Sequence, residues 1–564
     1  MNDCNLPGPG EDGASGTLGG ILERTARRVP RQQALVQGAT RLDYQDLNRR
    51  VDAFAAGLLG IGIRPRDHVV IWLPNCVEWN IALFALARIG AVAVTCNTRY
   101  KSLELSYLLR NSAARALITA GSFPAAHIDF LQLLDGAVPA LVRGGRAQHD
   151  ALVRALPAFR HLIVLDAGRA LDSAATAHAF ADIEAAGTRD ARDRLDLIAV
   201  APDDIALIVY TSGTTGAPKG CMLSHRALCI RAAQRTRMFP WRSDERMLVT
   251  MPYSHIAGVV GPILGSTLMG TTQVLMDVFD AGEALRTIER ERITFMSGVP
   301  TMFLNMLAHP HFARHDLRSL RTVTLGSADI PPDLVRRLAD PAGGLGLRVL
   351  VMYGQTETGG ATHCSRADDP IDLLATTAGV AIEGIEDRIV DPATGRDCAP
   401  GEEGEIRVRG AGMMSGYYAM PDATAARVRD GWLHTGDLGR RDGTGHLRVT
   451  GRLSDVILVG GFNTYPAEIE NYLRQHPDIR EVAVVGVPDP IMGQAVMAFV
   501  VPAPGAGLAP RAVRDFLAGR IANFKVPRFV KVVPELPMTA SGKVQKFRLL
   551  EGLDAQGLAP FAVG

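Results

Sequence analysis

Short apolar runs recur along the chain, each bounded by turn residues and separated by stretches with helical spacing. His68 to Leu73, Ala91 to Val94, Ile205 to Tyr210, Arg246 to Thr250, Thr272 to Met276, Thr322 to Leu325 and Arg348 to Tyr353 read as buried strands. Ile21 to Ala26, and Val77 to Ile89 ended by Gly90, read as helices, and Ser224-His-Arg-Ala227 reads as a helix start. This rhythm predicts parallel sheets covered by helices. After about Pro370 the period changes. Ile385 to Val390 and Gly404 to Gly410 alternate polar and apolar residues, as one-sided antiparallel strands do. A last unit, from about Gly451, reads strand (Asp455 to Val459), helix (Pro466 to Leu473), strand (Val482 to Val487), strand (Ala495 to Val501) and helix (Arg511 to Ile521). Pro466 stands at a first helical position, where its missing N–H costs nothing.

The expected fold class is α/β: a large N-terminal domain of parallel-rich sheets with a barrel-like β subdomain, then a small α+β C-terminal domain. The expected boundaries are a disordered tail over 1–17, a large domain over 18–450 with 370–450 β-rich, a small domain over 456–550 and a tail over 551–564. A length of 564 residues calls for several domains. Hydrophobic content of 47%, charged content of 21% and a net charge of +1 describe a soluble protein with no electrostatic footprint for nucleic acid. The seven cysteines form no Cys-x-x-Cys pair, so reduced thiols in the cytoplasm are expected rather than a zinc site. Pro252 to Met276 has no Asp, Glu, Lys or Arg and is long enough to span a bilayer. Its prolines, glycines and hydroxyls favour a buried strand–turn–helix segment instead, so no transmembrane span is expected.

Chemistry concentrates at Tyr210-Thr-Ser-Gly-Thr-Thr-Gly-Ala-Pro-Lys-Gly220, directly behind an apolar strand. Thr211, Ser212, Thr214 and Thr215 supply hydroxyl donors, Gly213 and Gly216 let backbone N–H groups turn toward an anion, and Lys219 adds a point charge. The stretch describes a polyphosphate clamp. It is not a Walker loop, because Lys219 is followed by Gly220. Tyr353-Gly-Gln-Thr-Glu357 sits where a strand ends, the edge at which ligands gather in open α/β sheets. There Thr356 can donate to phosphate and Glu357 is a hard oxygen ligand suited to Mg²⁺. Thr435-Gly-Asp437 reads as a turn whose carboxylate can accept ribose hydroxyls, and Arg452 can pair with phosphate. Pro537-Met-Thr-Ala-Ser-Gly-Lys543 reads as a loop presenting one lysine.

These segments, with Pro252-Tyr-Ser-His255, Gly404-Glu-Ile, Gly416-Tyr-Tyr, Gly451-Arg-Leu and Gly460-Gly-Phe-Asn-Thr-Tyr-Pro-Ala-Glu-Ile-Glu470, resemble the adenylate-forming superfamily in order and spacing. The resemblance runs from about Leu18 to Leu550 and is strongest toward carboxylate–CoA ligases. It implies that a carboxylic acid is joined to ATP with release of pyrophosphate, and that the acyl group then passes to CoA with release of AMP. By the same resemblance Thr211 to Lys219 would hold the β/γ phosphates, and Glu357 and Thr215 would hold Mg²⁺. Lys543 would bridge carboxylate and α-phosphate, Asp437 would hold the ribose, and Arg452 would bind the nucleotide. Gly326, Ser327, Ala328, Tyr353 and Gly354 would flank the adenine.

His255 would gate the path between acyl pocket and thiol tunnel, with Gly460 and Gly461 lining the tunnel. The small domain would be mobile about a hinge at 451–455, where Ser454 stands in place of the Asp or Lys of most relatives. The acyl pocket implied lies around His255 to Gly261, Ser297 to Met302, Ser327 to Ile330 and Thr358 to Thr362. Small residues there (Ala257, Gly258, Gly261, Gly298, Gly359, Gly360, Ala361) are expected to leave volume for an apolar, medium-chain or related tail, with Asp329 the one carboxylate. Delivery to a separate carrier protein, and a catalytically inactive scaffold, are the alternatives. A homo-oligomer is compatible with the sequence.

Overall fold

The computed structural model describes residues 16–563 apart from 124–127, 143–145, 166–176, 188–192, 194, 212–217, 240, 243, 329, 460–461, 490, 519, 539–543, 552 and 554–557. The chain divides into two compact units, one running through Glu386 and including Arg409–Leu433, the other made of Asp387–Val408 and His434 onward.

In the first unit the predicted apolar runs become the inner strands of two sheets. One sheet has nine strands, and its centre is a parallel set in which Arg348–Gln355, Thr322–Gly326, Phe295–Gly298, Arg246–Val249, Thr272–Leu275 and Gln33–Gln37 are neighbours. Covering helices seal it with Ile288, Phe303, Leu334 and Leu338, which pack on Leu248, Met296, Val323 and Val351. The other sheet has eight strands; Ile205–Thr211, Val92–Thr95, His68–Trp72, Ala116–Thr119 and His161–Val164 run parallel within it. Strands buried on both faces must be apolar throughout, which is why these runs carry no alternation.

Two segments differ from the expected pattern. The helix begins where expected, with Ser224 capping His225–Arg237 by accepting from the Ala227 N–H, but the residues before it are not loop: Lys219–Ser224 is a strand antiparallel to Ile205–Thr211. The strand begins inside the motif and is held by partners on both sides, so nothing local marks it. The uncharged stretch 252–276 runs turn, helix, strand rather than strand, turn, helix: Ile256–Gly258, a π-helical Val259–Gly265, Ser266–Met269, then Thr272–Leu275. A helix buried all round shows no polar face, and the wider π turn accommodates Pro262, which lacks an N–H. Among the described residues no helix is long and apolar enough to cross a membrane.

A five-stranded sheet, most of whose residues belong to the second unit, holds the antiparallel pair Trp432–Arg441 and Leu447–Arg452 with Gly404–Gly410 and Ile385–Val390. A second sheet centres on Gly493–Pro502, flanked by the antiparallel Ile479–Asp489 and the parallel Phe529–Val532. Val482, Val484, Val496, Ala498 and Val500 face the helices Pro466–Leu473 and Pro510–Leu517, while Ala483, Val485, Met497 and Phe499 face Leu536, Leu549 and Leu558. Both faces are covered, as the unbroken apolar runs require.

Candidate active site

Strand Arg348–Gln355 ends in a tight turn in which the Gln355 N–H donates to Thr358 Oγ1 at 2.9 Å and the Gly359 N–H donates to Thr356 O. The turn directs Glu357 inward, where it is only 8% exposed. A buried carboxylate needs donors. The Tyr417 O–H donates to Glu357 Oε1 at 2.8 Å. Burial and the neighbouring Glu357 charge both push the Tyr417 phenol up, so it stays protonated and remains a donor. Cys221, whose thiol is likewise pushed well up by burial and by Glu357, is no nucleophile.

Pairing brings Tyr417 to this point. Gly416–Tyr417 lies antiparallel to Lys219–Ser224, with Cys221 opposite Tyr417, and the Met414 N–H donates to Glu357 O at 2.9 Å. Lys219 Nζ rests 5.3 Å from the centre of the Tyr417 ring. Lys219 and Thr211 are register partners, so the two ends of the segment that holds Ser212, Gly213, Thr214, Thr215 and Gly216 lie side by side. Those five residues lie outside the described ones. A lysine at the loop's end and a buried carboxylate are therefore brought to the two sides of one tyrosine. Sequence reasoning quoted Gly416-Tyr-Tyr but gave Tyr417 no role; a tyrosine beside a buried acid has no local signal.

Among the described residues no group of three His, Cys, Asp or Glu could hold a metal. Glu357 is a buried carboxylate joined through Tyr417 to Lys219, which bounds the loop expected from the sequence to hold phosphates. That donor set suits Mg²⁺, which takes one or two carboxylates together with substrate phosphates and water.

Gly326, the last residue of its strand, is paired with Met352 of the parallel neighbour, so Ser327 leaves its strand beside Tyr353, which is still within Arg348–Gln355 and paired with His363. Ser327 and Ala328 are exposed and Ser327 takes the left-handed conformation, φ 66°. Gly354 is required by packing: a Cβ there would lie 2.1 Å from Gly360 O. Thr356 is half-buried in the same turn as Glu357. His255 is half-buried, with Nε2 3.3 Å from Asn97 Nδ2. An amide nitrogen only donates, so this contact holds Nε2 as the acceptor.

In the second unit, Asp437 is not in a turn but within the strand Trp432–Arg441. Gly436 kinks that strand at φ 65°, a conformation that favours glycine, and its N–H donates to Glu405 Oε1 at 3.3 Å. The Gly-Asp pair that suggested a turn is a strand irregularity instead. Arg452 is the cross-strand partner of Asp437, with Nε 3.4 Å from Oδ1. Ser454 is exposed and donates to Asp455 Oδ1 at 3.0 Å. Lys543, Gly460, Gly461 and Asp329 lie outside the described residues.

The small residues expected to open an acyl pocket are mostly taken up by packing. A Cβ at Gly258 would lie 2.1 Å from Pro252 O, at Gly298 2.9 Å from the Phe303 ring, at Gly359 2.2 Å from Gly412 O and at Gly261 3.0 Å from the Arg235 guanidinium. Arg231 and Arg235, one turn apart on helix His225–Arg237, are buried among these segments, and sequence reasoning missed both. Their signal was present: two arginines at i, i+4 among Leu228, Cys229 and Ala232.

The family model described as AMP-binding enzyme matches residues 22–418, and that of the AMP-binding enzyme C-terminal domain matches 468–543. The chain belongs to the AMP-binding enzyme family. Among relatives of this AMP-binding enzyme is the 3-[(3aS,4S,7aS)-7a-methyl-1,5-dioxo-octahydro-1H-inden-4-yl]propanoyl:CoA ligase of Rhodococcus jostii (strain RHA1), 39% identical over 95% of this chain and 98% of its own length. Another is the mitochondrial medium-chain acyl-CoA ligase of Bos taurus, 34% identical over 95% of this chain and 88% of its own. Among solved structures, ATP-bound MatB from Rhodopseudomonas palustris superposes with a TM-score of 0.81 at 27% identity, covering 96% of this chain and 100% of that one. This AMP-binding enzyme is of the CoA-ligase type within the adenylate-forming superfamily, a type that uses ATP and CoA.

Proposed function

We propose that this enzyme activates a carboxylic acid with an apolar, medium-chain or related body, forming an acyl-adenylate and pyrophosphate, and then transfers the acyl group to CoA with release of AMP. The observation that carries the reading is the Lys219–Tyr417–Glu357 cluster. It places a cation and an oriented carboxylate at the mouth of a hydroxyl-rich loop. In the first step a carboxylate must approach a phosphorus already surrounded by negative oxygens. Lys219 and the hydroxyls of the loop take charge on the β/γ phosphates, and Lys543 neutralises the carboxylate and α-phosphate together. Mg²⁺ held at Glu357 would supply further charge neutralisation when bound. Asp437, buried and fixed by its strand, accepts from the ribose, and Ser327, Ala328 and Tyr353 border the base. His255 gates the thiol path toward Gly460 and Gly461, about a hinge at Ser454. Release of AMP, followed over a panel of acids with CoA, tests the reading; release with no acid of the panel would count against it.

Tyr417→Phe keeps the ring and removes the donor to Glu357. A hydrogen bond to a charged group contributes about 1.5–3 kcal/mol, so kcat/KM for ATP is expected to fall about tenfold or more. The KM for the acid is expected to hold, and a fall confined to the acid would contradict the assignment. Ser454 is exposed, so Ser454→Asp is expected to change thioester formation by no more than about threefold, the range of ordinary surface substitutions. A rise by orders of magnitude would mean that the native serine impedes the hinge.

A further inference from the structure

Arg235 is 8% exposed, and among the described residues no carboxylate lies within ion-pair distance of it. Nη2 donates to Ser297 Oγ at 3.1 Å, Nη1 has only the Met352 thioether at 3.3 Å, and Nε is buried with no hydrogen-bond partner. The guanidinium carbon lies 5.4 Å from the centre of the Phe239 ring. Burial holds its pKa down to about 10, which leaves it charged at neutral pH. Cys364, the nearest group of opposite tendency, is pushed up to about 12 and is a neutral thiol there. Among the described residues these five donors thus have one oxygen acceptor, and that oxygen, Ser297 Oγ, is itself shared with Thr324 Oγ1 at 2.7 Å.

Arg231 gives the contrast. One turn earlier on the same helix, it donates to Gln234 Oε1 at 2.8 Å, to Thr358 O at 2.8 Å and to Ala411 O at 3.3 Å. It ties backbone segments together, whereas Arg235 has a buried charge and spare donors. Such a group is costly unless an acceptor arrives, and a guanidinium fork suits a planar pair of oxygens. Its neighbours Gly261 and Ser297 belong to two of the segments assigned above to the acyl pocket.

We propose that Arg235 determines specificity by receiving an acceptor oxygen, a carboxylate or a ketone, borne on the tail of the acid, so that oxo acids or dicarboxylic acids with an apolar body are preferred over plain fatty acids. The inference rests on the acyl-activation reading and narrows its substrate class. It is tested with the full-length enzyme on chain-matched octanoate, 7-oxooctanoate and octanedioate, following AMP release with CoA.

The wild type is expected to use one of the two acceptor-bearing acids with kcat/KM at least ~10²-fold above octanoate, because a site built to pair a polar group rejects an analogue that lacks it. Arg235→Met is expected to remove that ratio and leave octanoate unchanged or improved, and which acid leads identifies the acceptor as carboxylate or ketone. A ratio unchanged in Arg235→Met, or octanoate leading in the wild type, overturns the inference. Should Arg235→Met fail to fold, Arg235→Lys replaces it and is expected to lose at least tenfold of the preference; an unchanged preference overturns the inference again. Were no acid to yield AMP, the acyl-activation reading fails, and calorimetric binding of the three acids then decides this one alone. Tighter binding of an acceptor-bearing acid that is lost in the variant supports it, and equal binding overturns it.

Discussion

Lys543→Ala is expected to lower acid-dependent adenylate formation by at least ~10²-fold, the usual loss for one donor aimed at developing charge. Conversion of a supplied acyl-adenylate and CoA to thioester is expected to remain near wild type. The asymmetry follows from charge: Lys543 meets the carboxylate and α-phosphate as they approach each other, and that problem is over once the adenylate exists. Around the loop, Met538 and Val544 pair antiparallel and the Gln545 N–H donates to Pro537 O at 2.7 Å, so the chain enters and leaves 539–543 at one point. The nearby Lys546 is already engaged, with Nζ 2.8 Å from Glu470 Oε1. Lys546→Ala should therefore lower thermal stability and spare adenylate formation. Equal loss in both half-reactions of Lys543→Ala would remove Lys543 from the first step.

Glu357→Gln is expected to have an effect of similar size. The amide oxygen can still accept from Tyr417, so the fold and melting temperature should hold, but the charge that faces the phosphates is gone. Adenylate formation should fall by ~10²–10³-fold, and the Mg²⁺ concentration giving half-maximal rate should rise. Thioester formation from supplied adenylate should be nearly unaffected, because pyrophosphate and its counter-ions play no part in it. An unchanged Mg²⁺ requirement would show that Glu357 acts on something other than the metal–nucleotide.

Seven of the inner strands, such as Ile205–Thr211 and Thr322–Gly326, were legible because each is a continuous apolar run, and Pro466–Leu473 because proline marks its first turn, whereas Phe295–Gly298, Ala116–Thr119 and others as short were not read. What escaped the sequence depends on distant partners. Lys219–Ser224 is a strand only because Ile205–Thr211 and Gly416–Tyr417 lie on either side of it. Asp437 was expected in a turn, since glycine and aspartate are both frequent in turns; it lies instead in a strand, paired with Arg452. The residue types of the loop and of Glu357 could be read in advance, whereas Tyr417 could not, because it reaches Glu357 through a strand pairing with Cys221 in a distant part of the chain. The glycines misled in another way. They were expected to mark open volume, but Gly261 and Gly298 give way to Arg235 and Phe303, so smallness at those positions reflects close packing.

The central claim, that a carboxylic acid is joined to the α-phosphate of ATP, is tested most directly by exchange of labelled pyrophosphate into ATP in the absence of CoA. The account predicts exchange that requires both an acid and Mg²⁺ and is lost in Lys543→Ala. Exchange without any acid, or AMP release with no exchange under any acid, would contradict it.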